Sequence, residues 1–234
     1  MPVIEVGLMS AKPNHAVMVK TRPEGQILER AWDAVANSDA GPHWVFGGTE
    51  VKEDSKLWGF FEFESVEHHA KFASTFGAEA VKDLPEILSH SEFQKHVNVD
   101  ADLKPVLEAP VTQMSFIYFA PDISVSERSA VGFRIKEVID ALVKTTSEAT
   151  AAVCGWSIEN DFPVLDGEEG EPEVGCACVI FVGWTSLHAA RVSWEQAVVE
   201  HGEDLRKIQH AERALSMVTR HLQCRGFGQD NGGT

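Results

Sequence analysis

Two short stretches decide the fold: VIEVGL at residues 3–8 and VTQMSF at residues 111–116. Laid over each other at an offset of 108, Glu5 meets Gln113, Val6 meets Met114, Gly7 meets Ser115 and Leu8 meets Phe116. The same offset brings Ile27 to Ile135, Glu29 to Glu137 and Val35 to Val143, and then Val45-Phe46-Gly47-Gly48 to Val153-Cys154-Gly155-Trp156. Further on the offset is 121: Phe60 meets Phe181, Ser65 meets Ser186, Val66 meets Leu187, Leu84 meets Leu205, Ile87 meets Ile208 and Val97 meets Val218. The 13 extra residues (121 − 108) fall in DFPVLDGEEGEPEVG, whose Gly, Pro and acidic residues read as a loop. An ordered series of weak matches at constant offsets is the mark of an internal duplication.

Each copy reads β-α-β-β-α-β, the split βαβ or ferredoxin-like unit. Residues 3–9 are short and β-rich. Residues 24–37 place Leu28, Ala31, Trp32 and Val35 on one helical face, and the second copy does the same with Val131, Ile135, Val138, Ile139 and Leu142. Strands are expected at 43–51 and 56–63, joined by the turn-like EDSK. Ser65 is a fitting N-cap for a helix from Val66 that carries Val66, Ala70, Ala73 and Phe76, and Ser186 is the matching cap in the copy. More helix is expected around 79–90 and 203–215, then a last strand near 97–101 and 217–223. The first repeat is assigned to 1–104 and the second to 105–225. The Gly-rich end, 226–234, is expected to be a flexible tail.

A four-stranded sheet with helices on one face leaves its other face bare. Here Trp58, Phe60, Phe61 and Phe63 fall at both parities of the third strand, so that face needs a partner. The second copy is the obvious one. The expected fold class is therefore α+β, with two ferredoxin-like repeats packed sheet to sheet as an intrachain α+β barrel. Such a chamber, apolar with a few polar groups, has the form of a small-molecule site.

With tandem units of this kind and the run FEFESVEHHA at 61–70, the chain resembles the dimeric α+β barrel superfamily over residues 3–223. The group includes the antibiotic-biosynthesis monooxygenase domain and the stress-responsive A/B barrel. The resemblance implies fold first. Its members include cofactor-free monooxygenases, polyketide cyclases, heme-degrading enzymes and proteins without assigned chemistry. No one family's catalytic motif maps here residue by residue, and the fused duplicate departs from the usual one-unit chains.

Composition narrows the function classes. With 20 Lys plus Arg against 36 Asp plus Glu, the net charge of −16 repels phosphate backbones and anionic lipid. No apolar run nears the roughly 18 residues of a membrane helix. The start, MPVIEVGLMS, lacks the pattern of a secretory signal. Nucleic-acid and membrane partners are thus not expected, and the expected location is cytoplasmic. Cys154, Cys176, Cys178 and Cys224 lie in apolar sequence without CxxC or His/Cys spacing, so they read as reduced, buried small residues. No dinucleotide loop, P-loop, GxSxG or HExxH is present. No metal and no cofactor is expected. DGEEGEPE at 166–173 reads as a solvated loop, since it lacks EF-hand spacing.

On the first strand Ile4, Val6 and Leu8 share one parity, assigned here to the helix-covered face. Glu5, Gly7 and Met9 then point into the barrel, with Gln113 and Ser115 in the copy. A carboxylate among aromatics suits general acid or base work, which makes Glu5 a catalytic candidate. Glu62, alternating with Trp58 and Phe60, is a second. Of ten histidines, His43 and His221 fall on predicted strands and are candidates for proton transfer near neutral pH. The other histidines lie mostly on predicted helices and read as solvated. Trp44, Trp58, Phe60, Trp156 and Phe181 are candidate walls for stacking a planar substrate, with Gln113 and Ser115 as polar contacts.

The expected function is a cofactor-independent enzyme acting on a hydrophobic, aromatic or polyketide-like small molecule. The resemblance implies oxygenation first. A non-oxidative cyclase, isomerase or dehydratase is the alternative, and a non-catalytic binding or structural paralogue is the third reading. The expected assembly is a pseudo-dimer within one chain, with room for further homodimerisation.

Overall fold

The computed structural model describes residues 2–166, 173–200 and 214–228. In chain order the principal elements are β1 (Val3–Ala11), α1 (Pro23–Ala36), β2 (Val45–Glu50), β3 (Lys56–Phe63), α2 (Val66–Phe72) and β4 (Leu88–Val99). There follow β5 (Val111–Phe119), α3 (Val125–Thr145), β6 (Ala149–Ser157), β7 (Phe162–Pro163), β8 (Val174–Trp184), α4 (Leu187–Glu200) and β9 (Ala214–Phe227). The fold is α+β, built on antiparallel sheet, and the β-α-β-β-α-β order occurs twice.

Contacts divide the chain into two compact units. Unit 1 is Met1–His96 with Gln223–Thr234, and unit 2 is Val97–Leu222. In unit 1 the strand order is β9, β2, β3, β1, β4; in unit 2 it is β4, β6, β8, β5, β9, with β7 beside β8. The long strands β4 and β9 thus each contribute to both units.

The unit 1 core forms where α1 and α2 cover one sheet face. Leu28, Ala31, Trp32 and Val35 on α1 pack with Val3, Val45, Leu57 and Phe63 from the strands. Pro23 starts α1, where its missing N–H costs nothing. Ser65 caps α2 as expected, its hydroxyl accepting from the His68 amide at 3.1 Å. In unit 2, Ser124 and Glu127 form a reciprocal capping box at the start of α3. The buried face of α3 (Val131, Ile135, Val138, Ile139, Leu142) meets Val111, Ile117, Ile180, Val182 and Trp184.

Several expectations change. The helix expected over 79–90 reduces to single turns at Ala78–Ala80 and Leu84–Glu86, because β4 already begins at Leu88. Pro85 lies in that segment, and an internal proline cannot continue a helix. The helix expected over 203–215 falls mostly on residues 201–213, outside the described residues, and β9 is already a strand at Ala214. The acidic loop reading at 166–173 also lies largely outside them, and the flexible tail expected over 226–234 does so from residue 229 on, whereas Gly226 and Phe227 belong to β9 and Phe227 is buried.

The duplication holds, with a corrected register. Opposite Glu5 stands Phe61, and opposite Gln113 stands Val182, so the first strands do match at 108. The helical faces match at 107 instead, with Leu28, Ala31, Trp32 and Val35 answering Ile135, Val138, Ile139 and Leu142 (135 − 28 = 107). The second strands agree: Gly47 lies opposite Gly59, and Cys154 lies opposite Ile180. One residue is missing from the second copy between first strand and first helix. On a strand, a slip of one residue exchanges the two faces.

Face assignment on β1 is also reversed. Val3, Glu5, Gly7 and Met9 face α1 and α2, whereas Ile4, Val6 and Leu8 lie on the opposite face. The physical reason is a row of three glycines, Gly7 beside Gly59 beside Gly47, across β1, β3 and β2. The Trp32 indole fills the space left at two of them: a Cβ on Gly47 would stand 2.0 Å from Trp32 Cζ3, and one on Gly59 would stand 3.3 Å from Trp32 Cη2. The helix supplies bulk that the strands lack, so the more hydrophobic strand parity is not the helix-covered one. Because β1 is buried on both faces, alternation carries no signal.

Candidate active site

Glu5 is 3% exposed in the middle of β1, on the helix-covered face. A buried carboxylate needs partners, and it has two. Gln94, on β4, donates its side-chain amide to Oε1. His69, on α2, places Nε2 3.0 Å from Oε2. The other ring nitrogen of His69, Nδ1, lies 2.8 Å from Nε2 of His96. Carboxylate, imidazole and imidazole therefore form one hydrogen-bonded line within unit 1. The His69 ring lies over Phe63 with centroids 4.8 Å apart, and Phe63 packs in turn on Phe72. His69 and Phe72, three apart on α2, share the face turned to the sheet.

Two cavities border this line. The larger, about 370 Å³, is lined by Glu5, Gly7, Met9, Trp32, Phe61 and Leu84, among others, with Ser89, His90 and Ser91 of β4. The smaller, about 210 Å³, is lined by Glu5, His69, Phe63, Phe72, Val35 and Val81, among others. Glu5, Val81 and Gln94 belong to both linings. A single π-type turn at Ala73–Gly77 follows α2, with Thr75 outside helical backbone angles, and its residues Ala73 and Gly77 shape the smaller cavity. Among the described residues no group of three or more His, Cys, Asp or Glu side chains is arranged to hold a metal ion.

The sequence candidates disperse. Glu5 lies in this site, though facing the helices. Glu62 is half-buried on the opposite face of the sheet, across from Ile4, and does not border either cavity. His43 is exposed just before β2, where its amide donates to the Glu62 carbonyl at 2.7 Å. Trp58 and Phe60 are fully buried on Glu62's face, and the Trp58 indole donates to Glu50 at 3.0 Å. Trp44 is buried edge-on to Phe46. In unit 2, Phe181 is buried opposite Met114. Trp156 packs against Phe119 and under the Arg128 guanidinium, on the helix-covered side. The one-residue slip in register explains that placement.

Gln113, Ser115 and His221 do come together, in unit 2. His221 stands opposite Gln113, the Gln113 amide donates to Ser115 Oγ at 3.3 Å, and Ser115 and Thr219 hydroxyls are 2.9 Å apart. These residues share the parity of Val111 and Ile117, so they too face the helix-covered side. Cys154 and Cys178 are inert by placement: burial pushes the Cys154 thiol up to about 12 and Cys178 well above its ordinary value.

Sequence reasoning missed His69, His96 and Gln94. An apolar face of α2 drawn through Ala70 and Ala73 turns His69 to solvent. Counting from the Ser65 cap to the one large apolar residue of that helix that is buried, Phe72, puts His69 on the inner face.

No protein-family model matches the chain, and no curated protein matches it either. Solved structures do. An anthrone oxidase-like protein superposes with a TM-score of 0.61 at 15% identity, covering 100% of this chain and 96% of its own. A candidate monooxygenase from Fusobacterium nucleatum subsp. nucleatum gives 0.59 at 9% identity, with 100% and 96% covered. Another from Lactobacillus acidophilus gives 0.57 at 8%, with 97% and 95% covered. The chain has a monooxygenase-like fold. At these identities the likeness is one of fold alone.

Proposed function

We propose that the chain is a cofactor-independent, monooxygenase-like enzyme for a hydrophobic aromatic or polyketide-like molecule, with Glu5 as general base in the unit 1 cleft. The observation that carries this reading is the Glu5 carboxylate, buried and held on both oxygens yet bordering an apolar-walled cavity. Each carboxylate oxygen offers two lone pairs. Gln94 and His69 occupy one apiece, which leaves others for a substrate proton. Trp32 and Phe61 give aromatic surface for a planar ring, and about 370 Å³ is at the lower end of the roughly 300–1,000 Å³ of ligand pockets.

The chemistry follows from a base in an apolar site. Glu5 takes a proton from a CH₂ carbon activated by flanking carbonyl or aryl groups. The carbanion passes one electron to dioxygen, and the two radicals join as a peroxide. Loss of water then leaves a carbonyl. One oxygen atom enters the product and the other leaves as water with both hydrogens of the original CH₂, so no external reductant is needed. The fold shared with the anthrone oxidase-like protein supports this reading over other acid–base chemistry.

An anthrone, offered as substrate in an oxygen electrode, tests it. The expected result is one dioxygen consumed per ketone formed, and loss of about 10²- to 10⁴-fold in kcat for Glu5→Gln. Turnover of a related polyketide without oxygen uptake would shift the reading to non-oxidative cyclisation, isomerisation or dehydration. Binding without any turnover would make the chain a carrier.

A further inference from the structure

His96 borders neither the larger nor the smaller cavity, yet it is 7% exposed and its Nε2 lies 2.8 Å from the Nδ1 of His69. That contact has a consequence for where protons can be. His69 Nε2 faces a carboxylate oxygen at 3.0 Å, and two lone pairs would repel at that distance, so Nε2 carries a hydrogen. A neutral imidazole has only one N–H, which leaves Nδ1 bare. With His69 neutral, the donor across the 2.8 Å contact is His96 Nε2 and the acceptor is His69 Nδ1. The chain of donation runs His96 to His69 to Glu5.

We propose that His96 is a positioning residue of the active site, whose Nε2–H fixes His69 in the Nε2–H tautomer and so holds the Glu5 carboxylate oriented. Without that donor, His69 is free to carry its proton on Nδ1. Its Nε2 lone pair would then face a carboxylate lone pair, and the carboxyl would relieve the repulsion by turning away. Turned away, Glu5 no longer serves as the base. The geometry of the ring pair, with centroids 5.0 Å apart and planes at 56°, lets the two imidazoles bond edge to edge while Phe63 supports His69 from its face. The proposal rests on the role given to Glu5 above, but its first test does not need turnover.

That test is a long-range ¹H–¹⁵N spectrum of the wild-type protein without ligand, read for His69. The expected signature is a protonated Nε2 and an unprotonated, hydrogen-bonded Nδ1. In His96→Leu the Nδ1–H tautomer gains population and kcat falls by about 10- to 100-fold with KM little changed, as for loss of groups that orient a functional histidine. In His96→Gln an amide N–H can donate to Nδ1 again, and both the signature and most of the rate return. A wild-type spectrum with the proton on Nδ1 overturns the proposal whether or not any variant folds. So does a His96→Leu protein with unchanged spectrum and rate. If instead the spectrum is as expected but Glu5→Gln keeps full activity, the assignment of Glu5 fails and the tautomer lock stands as a structural feature.

Discussion

The two units share one scaffold and differ at its most demanding position. In unit 1 the middle of the first strand carries Glu5, supported by His69 and Gln94. In unit 2 the matching residue is Gln113, and the helix position four past the N-cap serine, His69 after Ser65, is Ala190 after Ser186. Gly7 becomes Ser115. A carboxylate buried on a strand needs charged or donor partners brought by other elements, and losing the partner makes the acid costly to keep. A neutral amide tolerates less support. Gln113 Oε1 indeed has no hydrogen-bond partner among the described residues, while its amide is satisfied by Ser115. The acid and its histidine occur together in unit 1, and neither stands at the matching position of unit 2.

The sharpest way to break this contrast is Glu5→Gln, which makes unit 1 resemble unit 2 and is expected to cost about 10²- to 10⁴-fold in turnover with little change in thermal stability. The converse, Gln113→Glu, places an unpaired acid in unit 2 and is expected to destabilise it by about 3–5 kcal/mol, read by denaturant unfolding. A double variant that adds Ala190→His should show favourable coupling of roughly 0.5–3 kcal/mol relative to the two single changes. Additive effects there would separate the two positions.

A smaller effect tests the glycine row. Gly47→Ala drives a methyl into the Trp32 ring and is expected to cost about 1–3 kcal/mol. The equivalent position in unit 2, Cys154, already has a side chain, so Cys154→Ala should cost less. An equal loss at both sites would undo the corrected register.

The smallest effect is electrostatic. At equivalent places on the first helices, Glu29 pairs with Lys20 and Arg225, whereas Lys136 pairs with Asp100. Burial alone would raise the Glu29 carboxyl, but the Lys20 and Arg225 bonds outweigh it and hold it below its usual 4.5. A group depressed in the folded state stabilises above its unfolded value and loses that contribution as pH falls through the folded one. Wild type should therefore lose more melting temperature than Glu29→Gln on acidification below about pH 4.5. Parallel curves would show that the Glu29 pairs contribute nothing.

How much of this could be read from the chain depended on range. The repeats and the Ser65 cap were legible because they depend on local order and short-range hydrogen bonds. The parity of β1 was not, because it is set from outside the strand, by Gly47 and Gly59 on its neighbours and by Trp32 packed against them. The missing residue before the first helix was hidden because chance identities, such as Ile27 with Ile135, fit the wrong register. Glu5 was visible as an acid in an apolar strand. Its partners were not, since Gln94 reaches it, and His96 reaches His69, only through the placement of β4, about ninety residues along the chain from Glu5.

Trp32 both closes the glycine row and lines the larger cavity. Its indole therefore doubles as an optical gauge: any planar guest that enters must come against it and alter its emission. A titration followed at the tryptophan band would count occupied clefts directly, and substituting Trp32 by Phe would silence that part of the signal. The molecule carries its own dye at the place where a substrate must be found.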